Sequence, residues 1–257
     1  MCLLALSWQQ HHEYPLLLAA NRDEFHARPT LPAGNWPDYP DLIGGRDLQA
    51  GGSWMLASRS GQWAALTNVR DGRRMGESGQ ASRGELVLRA MQQPPEVTAQ
   101  WLQKVGQNYA GFNLLWGDAT QAWFFSNQQP KPAQQLQPGL YLLSNASLNT
   151  DWPKTRRLKQ AMQNLLQQQS CHPQQLFATL LDTTPAVDPD LPNTHIGLEK
   201  ERFLSPVFIR GEDYGTRAST LLWQQADQQW FLHERSYPTS QNQPNEQMFN
   251  WYQTKPC

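Results

Sequence analysis

The chain has 257 residues and a formal net charge of −1, and 17% of its residues are charged and 39% hydrophobic. A charge so close to zero excludes both the chain-wide basic surface of a nucleic-acid-binding protein and an acidic disordered tail. No apolar run approaches the roughly 18 residues that span a bilayer, and the three cysteines form no CxxC pair, so we expect a cytoplasmic protein without a disulfide framework or a metal site.

The first half of the chain is predicted to form mainly strands. Apolar runs at residues 2–8 and 14–20 predict two buried strands joined by a polar connection. Residues 22–48 combine proline, glycine and aspartate, which predicts a long irregular connection of the kind that often shapes a site. The next predicted elements are strands at 53–58 and 62–69 and helices at 84–91 and 96–105.

The second half of the chain repeats this alternation of strand pairs and helix pairs. Strands are predicted at 112–116, 121–126 and 140–144, helices at 153–168 and 174–181, an irregular stretch at 183–202, and strands at 206–210, 216–223 and 229–233. Runs of strands separated by helix pairs favour antiparallel sheets with helices packed outside. We therefore predict an α+β fold, a four-layer α/β/β/α sandwich of two antiparallel sheets, in one domain over residues 1–257, with 236–257 as a peripheral polar tail.

Cys2 is the residue that most suggests chemistry. A small side chain at position 2 is compatible with removal of Met1, which would leave Cys2 with a free α-amine. One residue would then supply a thiol nucleophile and an amine base, since an α-amine titrates near roughly 7.7–8.0. The alternative is that Cys2 is one more small apolar residue of a buried strand.

Short motifs follow Cys2 in a fixed order. The tetrapeptide Asn21-Arg22-Asp23-Glu24 comes directly after the second predicted strand. Further motifs are Gly44-Gly45-Arg46-Asp47, Gly51-Gly52-Ser53-Trp54, Thr67-Asn68-Val69-Arg70, Ser82-Arg83-Gly84, Tyr109-Ala110-Gly111-Phe112-Asn113-Leu114 and Ser144-Asn145. This ordered set resembles the NRDE family, also called the transport and Golgi organisation 2 family. The resemblance implies a fold like that of the N-terminal nucleophile hydrolases.

The pairing of the first two strands decides which side chains accompany Cys2. A turn centred on His11-His12 would pair Cys2 with Asn21, and directly opposed residues share one face of a sheet. Asn21 and Asp23 would then lie on the side of the thiol, and Arg22 and Glu24 on the other side. A slip of one residue would reverse this assignment.

An amidase centred on Cys2 would need three kinds of neighbour. Asn21 or Asp23 would orient the α-amine, and Asn68 and Asn145, each just beyond a predicted strand, would donate to the oxyanion of a tetrahedral intermediate. By similarity to the choloylglycine-hydrolase group, Arg217 would be the cation that holds substrate or lowers the thiol pKa. We assign Arg22 and Arg70 to substrate binding. The competing interpretations are turn amides for the two asparagines and a strand-surface ion pair for Arg217.

Two functional hypotheses result. The first is an N-terminal cysteine amidohydrolase that cleaves a small non-peptide amide through a thioester and needs no cofactor. The second, implied by the resemblance, is a non-catalytic binding or trafficking protein for haem or an acyl or lipid ligand. Haem would need an axial ligand, and the candidates are Cys2, His11, His12, His26, His172, His195 and His233. The oligomeric state stays open.

Overall fold

The computed structural model describes residues 2–74, 81–168, 171–238 and 243–254, and in these ranges the strands form two antiparallel sheets. In sheet order, the strands of the first sheet are β10 (Gly139–Leu143), β1 (Cys2–Trp8), β2 (Leu16–Phe25), β11 (Tyr214–Gln224), β12 (Gln229–Ser236) and β13 (Asn245–Tyr252). Those of the second sheet are β3 (Thr30–Trp36), β4 (Tyr39–Asp47), β5 (Met55–Ser58), β6 (Trp63–Asn68), β7 (Phe112–Gly117), β8 (Ala122–Ser126) and β9 (Gln134–Gln135).

The α-helices lie on the outer faces of the two sheets. They are α1 (Gly84–Ala90), α2 (Pro95–Val105), α3 (Pro153–Gln167), α4 (Pro173–Thr179) and α5 (Leu198–Phe203). The start of α3 is encoded locally: Pro153 occupies the first turn, where its missing N–H is no loss, and the hydroxyl of Thr155 accepts the backbone N–H of Trp152. No helix within the described ranges is long and apolar enough to cross a membrane.

The alternation of side chains along β1 shows how the layers are built. Leu4 and Leu6 point into the core between the two sheets, whereas Leu3 and Ala5 pack beneath α3 and α4. The outer face of the second sheet packs against α1 and α2 through a third apolar cluster. The order of layers is therefore helices, sheet, sheet, helices, and the predicted four-layer α/β/β/α sandwich is confirmed.

Residues 22–48 are not the irregular connection that the sequence predicts. β2 continues to Phe25, and β3 and β4 then form a hairpin. The prolines favoured an irregular connection because proline has no backbone N–H to donate to a neighbouring strand. An edge strand tolerates the loss of this hydrogen bond. β3 is the edge of the second sheet, and its register shifts between Leu31 and Gly34, around Pro32.

Three later segments also differ from expectation. Residues 206–210 do not form the predicted strand, and the stretch predicted as irregular contains α5. The segment predicted as a polar tail contains β13, which pairs with β12 and stacks Trp251 on Trp230 with ring centroids 6.3 Å apart. One buried residue in a strand of otherwise exposed and half-buried side chains is too weak a pattern to be recognised from sequence.

Candidate functional site

A cleft of about 390 Å³ opens beside the N-terminal end of β1. The C-terminal ends of β2 and β6, the connection between β4 and β5, and the start of α1 form its other walls. Cys2 lines this cleft, and so do six charged side chains: Arg22, Asp23, Glu24, Arg28, Asp47 and Arg83. The thiol that the sequence singles out therefore borders the cleft, in strongly polar surroundings.

The pairing of β1 with β2 differs by one residue from the prediction. Cys2 lies opposite Arg22, and Leu3 lies opposite Asn21. The connection between the two strands has seven residues, and the N–H of Gln9 donates to the carbonyl of Pro15 at 2.7 Å across it. Its centre is therefore His12, whereas the prediction placed the centre between His11 and His12. The predicted placement of Asn21 beside the thiol is therefore wrong, and Arg22 occupies that place.

Asn21 lies on the opposite face of the first sheet, toward the helices. Its amide donates to the carbonyls of Leu180 and Val207 at 2.8 and 2.9 Å, and its oxygen accepts the hydroxyl of Ser219 at 2.6 Å. The side chain is fully buried and engaged by structural partners. Its amide therefore joins the segments at Leu180 and Val207 to the sheet, and the predicted role in orienting the Cys2 amine does not fit this position.

Asp23 reaches the cleft near the end of β2. The carboxyl is 1% exposed and accepts the hydroxyl of Thr216 at 2.7 Å. Burial raises the pKa of Asp23, and the positive charge of Lys154 acts in the opposite direction. Asp23 lies on the same face of β2 as Asn21, so its predicted placement on the side of the thiol is also wrong, and its role in orienting the α-amine stays a prediction.

The Cys2 thiol is half-buried and its surroundings disfavour the thiolate. Burial raises the pKa of the Cys2 thiol, Asp23 raises it further, and Arg22 lowers it. Because the net direction is upward, most of the thiol is protonated near neutral pH. A nucleophilic role would therefore need a base close to the sulfur.

Arg22 is held between the sheets beside Cys2. Its guanidinium lies 4.2 Å from the centre of the Trp54 ring, an arrangement that favours the cation. Its Nη1 is buried and has no hydrogen-bond partner within the described parts of the chain. Trp54 can approach because residue 45 is glycine, where a Cβ would lie 2.1 Å from two atoms of the ring.

The remaining charged residues of the cleft form its rim. Arg28 binds Asp47 through Nη2 and Oδ2 at 2.6 Å, and it lies 3.9 Å from Glu24. Arg83, immediately before α1, donates Nη1 to the carbonyl of Gly111 at 3.2 Å, and burial lowers its pKa. Arg83 belongs to the Ser82-Arg83-Gly84 motif, but no role was predicted for it.

Asn68 and Asn145 occupy different positions relative to the cleft. Asn68 is half-buried and lines the cleft, whereas Asn145 is buried behind it and donates Nδ2 to the Asn68 carbonyl at 2.9 Å. The hydroxyl of Ser144 donates to the Cys2 carbonyl at 3.2 Å and lies 3.3 Å from Oδ1 of Asn145. Asn145 therefore holds Asn68, while Ser144 holds Cys2, and the position of Asn145 behind the cleft does not match its predicted role as an oxyanion donor.

Two predicted arginines lie outside the lining of the cleft. Arg70 pairs with Glu201 at 2.8 Å and packs 4.8 Å from the Trp152 ring centre. Arg217 donates Nη1 to three carbonyls in the turn after β2, those of Phe25, His26 and Arg28. Both guanidinium groups are used to hold segments of the chain together, so neither position matches the predicted contact with substrate.

The walls of the cleft carry more charge than those of haem sites, which are mainly apolar. Of the candidate axial ligands, Cys2 lines the cleft and the six histidines do not. His26 contacts the carbonyl of Gly211 at 3.1 Å, and His233 pairs with Glu246 at 2.9 Å. Across the described ranges, His, Cys, Asp and Glu nowhere form a group of three that could hold a metal ion.

Comparison with known proteins finds relatives that are similar in sequence along most of the chain, and solved structures that are similar in fold at low sequence identity. The family model described as Transport and Golgi organisation 2 matches residues 1–239. The human Transport and Golgi organization protein 2 homolog is 32% identical over 260 residues, covering 92% of this chain and 93% of that protein. The mouse homolog is 31% identical with the same coverage.

Among solved structures, a variant of the conjugated bile acid hydrolase from Clostridium perfringens superposes with a TM-score of 0.50. The likeness covers 99% of this chain and 98% of that one at 8% sequence identity. Identity this low shows the fold alone. It agrees with the four-layer sandwich described above.

Proposed function

The chain belongs to the Transport and Golgi organisation 2 family, and on its hydrolase-like fold we propose that it is an N-terminal cysteine amidohydrolase. The substrate is a small, linear, non-peptide amide. The observation that carries the proposal is the position of Cys2, at the first described residue of β1 and in the wall of the cleft, with Arg22 opposite and Asp23 nearby. Met1, whose removal this role requires, lies outside the described residues.

The α-amine of processed Cys2 serves as the base. It takes the thiol proton, directly or through one water, and the sulfur attacks the amide carbonyl to form a C–S bond. The tetrahedral intermediate collapses, the C–N bond breaks, and the leaving amine takes the proton from the α-ammonium. Water then hydrolyses the thioester with the same amine as base. The sum is amide plus water giving carboxylic acid plus amine.

Other residues around Cys2 orient its α-amine, contact the substrate and stabilise the oxyanion. Asp23 orients the α-amine, and the cation of Arg22 favours the thiolate and faces the substrate. The side chain of Asn68 donates to the oxyanion, and Asn145 holds Asn68 through its carbonyl. Loss of one oxyanion donor typically raises the barrier by about 2.7–4 kcal/mol.

The first experiment is the intact mass of the full chain purified from a bacterial cytoplasm. The proposal expects a mass lower by one methionine, together with hydrolysis of at least one member of a panel of short N-acyl p-nitroanilides. Cys2→Ala should abolish this hydrolysis, while Cys171→Ala, which changes a buried cysteine among apolar residues, should not. Retention of Met1 would contradict the mechanism, and binding measurements, starting with an acyl ligand and haem, would then take precedence.

A further inference from the structure

A lysine is buried behind the cleft, between the first sheet and its helices. Lys154 is the second residue of α3 and is only 2% exposed. Lysine is almost never fully buried without compensation, because an ammonium loses its hydration there. Its burial in this protein therefore needs a reason.

Four buried charges meet in this region. Lys154 and Arg70 are positive, and Asp23 and Glu201 are negative. Asp23 follows Asn21 by two residues on β2, on the face of the sheet that α3 covers, which places its carboxyl on the same side as Lys154.

Arg70 and Glu201 form one half of this cluster. Arg70 pairs with Glu201 at 2.8 Å, and the other carboxylate oxygen of Glu201 accepts both the N–H and the hydroxyl of Thr194 at 2.7 Å. Trp152, two residues before Lys154, packs against Arg70. Within the cluster, Lys154 and Asp23 are the remaining opposite charges, and they lie next to the end of the chain that carries Cys2.

We propose that Lys154 is a positioning residue for the Cys2 centre: its ammonium keeps the Asp23 carboxylate ionised and keeps the α-amine of processed Cys2 in the neutral form that acts as a base. A nearby cation stabilises a carboxylate and disfavours a second cation. The inference rests on the proposed function, since only processed Cys2 has an α-amine.

Titration of Lys154 is compatible with this role. Burial lowers the pKa of Lys154 to about 8, while Asp23 raises it. The lysine is therefore cationic below that pH and supplies its charge in the neutral range. The charged or titratable groups that face it are Asp23 on β2, Arg70 after β6, Cys2 on β1 and Glu201 on α5.

Removal of the Lys154 charge should change the apparent pKa of Cys2 in a definite direction. The thiol and the α-amine of Cys2 titrate as a coupled pair, and both would lose a neighbouring cation. The apparent pKa of the pair should rise, so that alkylation of Cys2 begins at higher pH.

The test compares Lys154→Met, Lys154→Arg and Lys159→Met in the full chain. Lys159 is exposed on the same helix and is the matched control. The rate of Cys2 alkylation by iodoacetamide is measured against pH, with mass spectrometry resolving the Cys2 peptide. We expect the rise in rate to move to higher pH in Lys154→Met, to return to the wild-type position in Lys154→Arg and to stay unchanged in Lys159→Met.

The outcomes separate the two ideas. Retained Met1 in the wild-type protein overturns both the amidohydrolase and the role of Lys154. Processed, reactive Cys2 with the same pH profile in Lys154→Met overturns the role of Lys154 alone. If Lys154→Met does not fold, NMR of isotope-labelled lysines in the wild-type protein decides: a lysine signal that shifts over the pH range in which Cys2 becomes reactive supports the proposal, and lysine signals that all stay constant over that range overturn it.

Discussion

Cys2 lies directly opposite Arg22 across β1 and β2, so the thiol and the guanidinium share the face of the first sheet that looks toward the second sheet. The next residues of the NRDE tetrapeptide alternate between the two faces of β2. Arg22 thus belongs to the layer that contains the thiol, whereas Asn21 belongs to the layer beneath the helices. Within one tetrapeptide, Arg22 therefore lies beside the thiol, and Asn21 binds the segments at Leu180 and Val207 on the other face of the sheet.

Arg22→Met should slow alkylation of Cys2 near neutral pH. The cation lowers the pKa of the Cys2 thiol, so its removal should raise that pKa and reduce the thiolate fraction. Rates of iodoacetamide alkylation against pH measure the effect. Arg46→Met is the matched control, because Arg46 packs 4.5 Å from the Trp36 ring centre but does not line the cleft. Equal rates in the two variants would contradict the assigned role of Arg22.

Gly45→Ala should destabilise the protein and disturb the cleft. A Cβ at this position would lie 2.1 Å from the Trp54 ring, which would have to move away from Arg22. Overpacking of this kind typically costs about 1–3 kcal/mol in the free energy of unfolding, which urea titration measures. Gly34→Ala is the control, since its nearest atom would be 3.8 Å away and the change should be small. Similar losses in both variants would show that Trp54 is not the cause.

The apolar patterns in the sequence were sufficient to predict most of the fold. Alternation and short apolar runs identify the strands around Cys2 and Trp63, and the order of elements predicts the four layers. The register of β1 with β2 was not predictable in the same way, because it depends on the conformation of the connection, where Gln9 adopts a φ of 50°. Because the observed register differs by one residue from the predicted one, Arg22 rather than Asn21 lies opposite Cys2.

The residues of the candidate site could be predicted only where they lie in or beside a local sequence motif. Cys2, Asp23 and Asn68 are among the residues that line the cleft, and each lies in or beside a recognisable motif. Lys154 was missed because a lysine in a predicted helix is normally exposed. Its burial depends on charges from strands and a helix far away in the sequence, which no local pattern reveals.

Asp47 should stabilise the rim of the cleft in a pH-dependent manner. Burial favours the neutral carboxyl, but the hydrogen bonds from Arg28 outweigh it and hold the pKa of Asp47 below its ordinary value. Because the pKa is lower in the folded state, the stabilisation is present above about pH 4 and is lost as the pH falls through the folded value. The difference in unfolding free energy between wild type and Asp47→Asn should therefore shrink on acidification. A difference that stays constant from pH 6 to pH 3 would contradict this assignment.

Glu201→Gln should be among the most destabilising single changes in the region behind the cleft. The Arg70 side chain is 6% exposed, so the amide would leave its guanidinium buried without a counter-charge. Breaking a buried pair in this way typically costs about 3–5 kcal/mol, and burial already lowers the pKa of Arg70. Asp188→Asn is the control, because the ion pair of Asp188 with Arg202 lies in solvent and should contribute little. Denaturant titration of both variants measures the contrast, and a loss in Glu201→Gln no larger than in the control would mean that water or a rearranged side chain compensates Arg70.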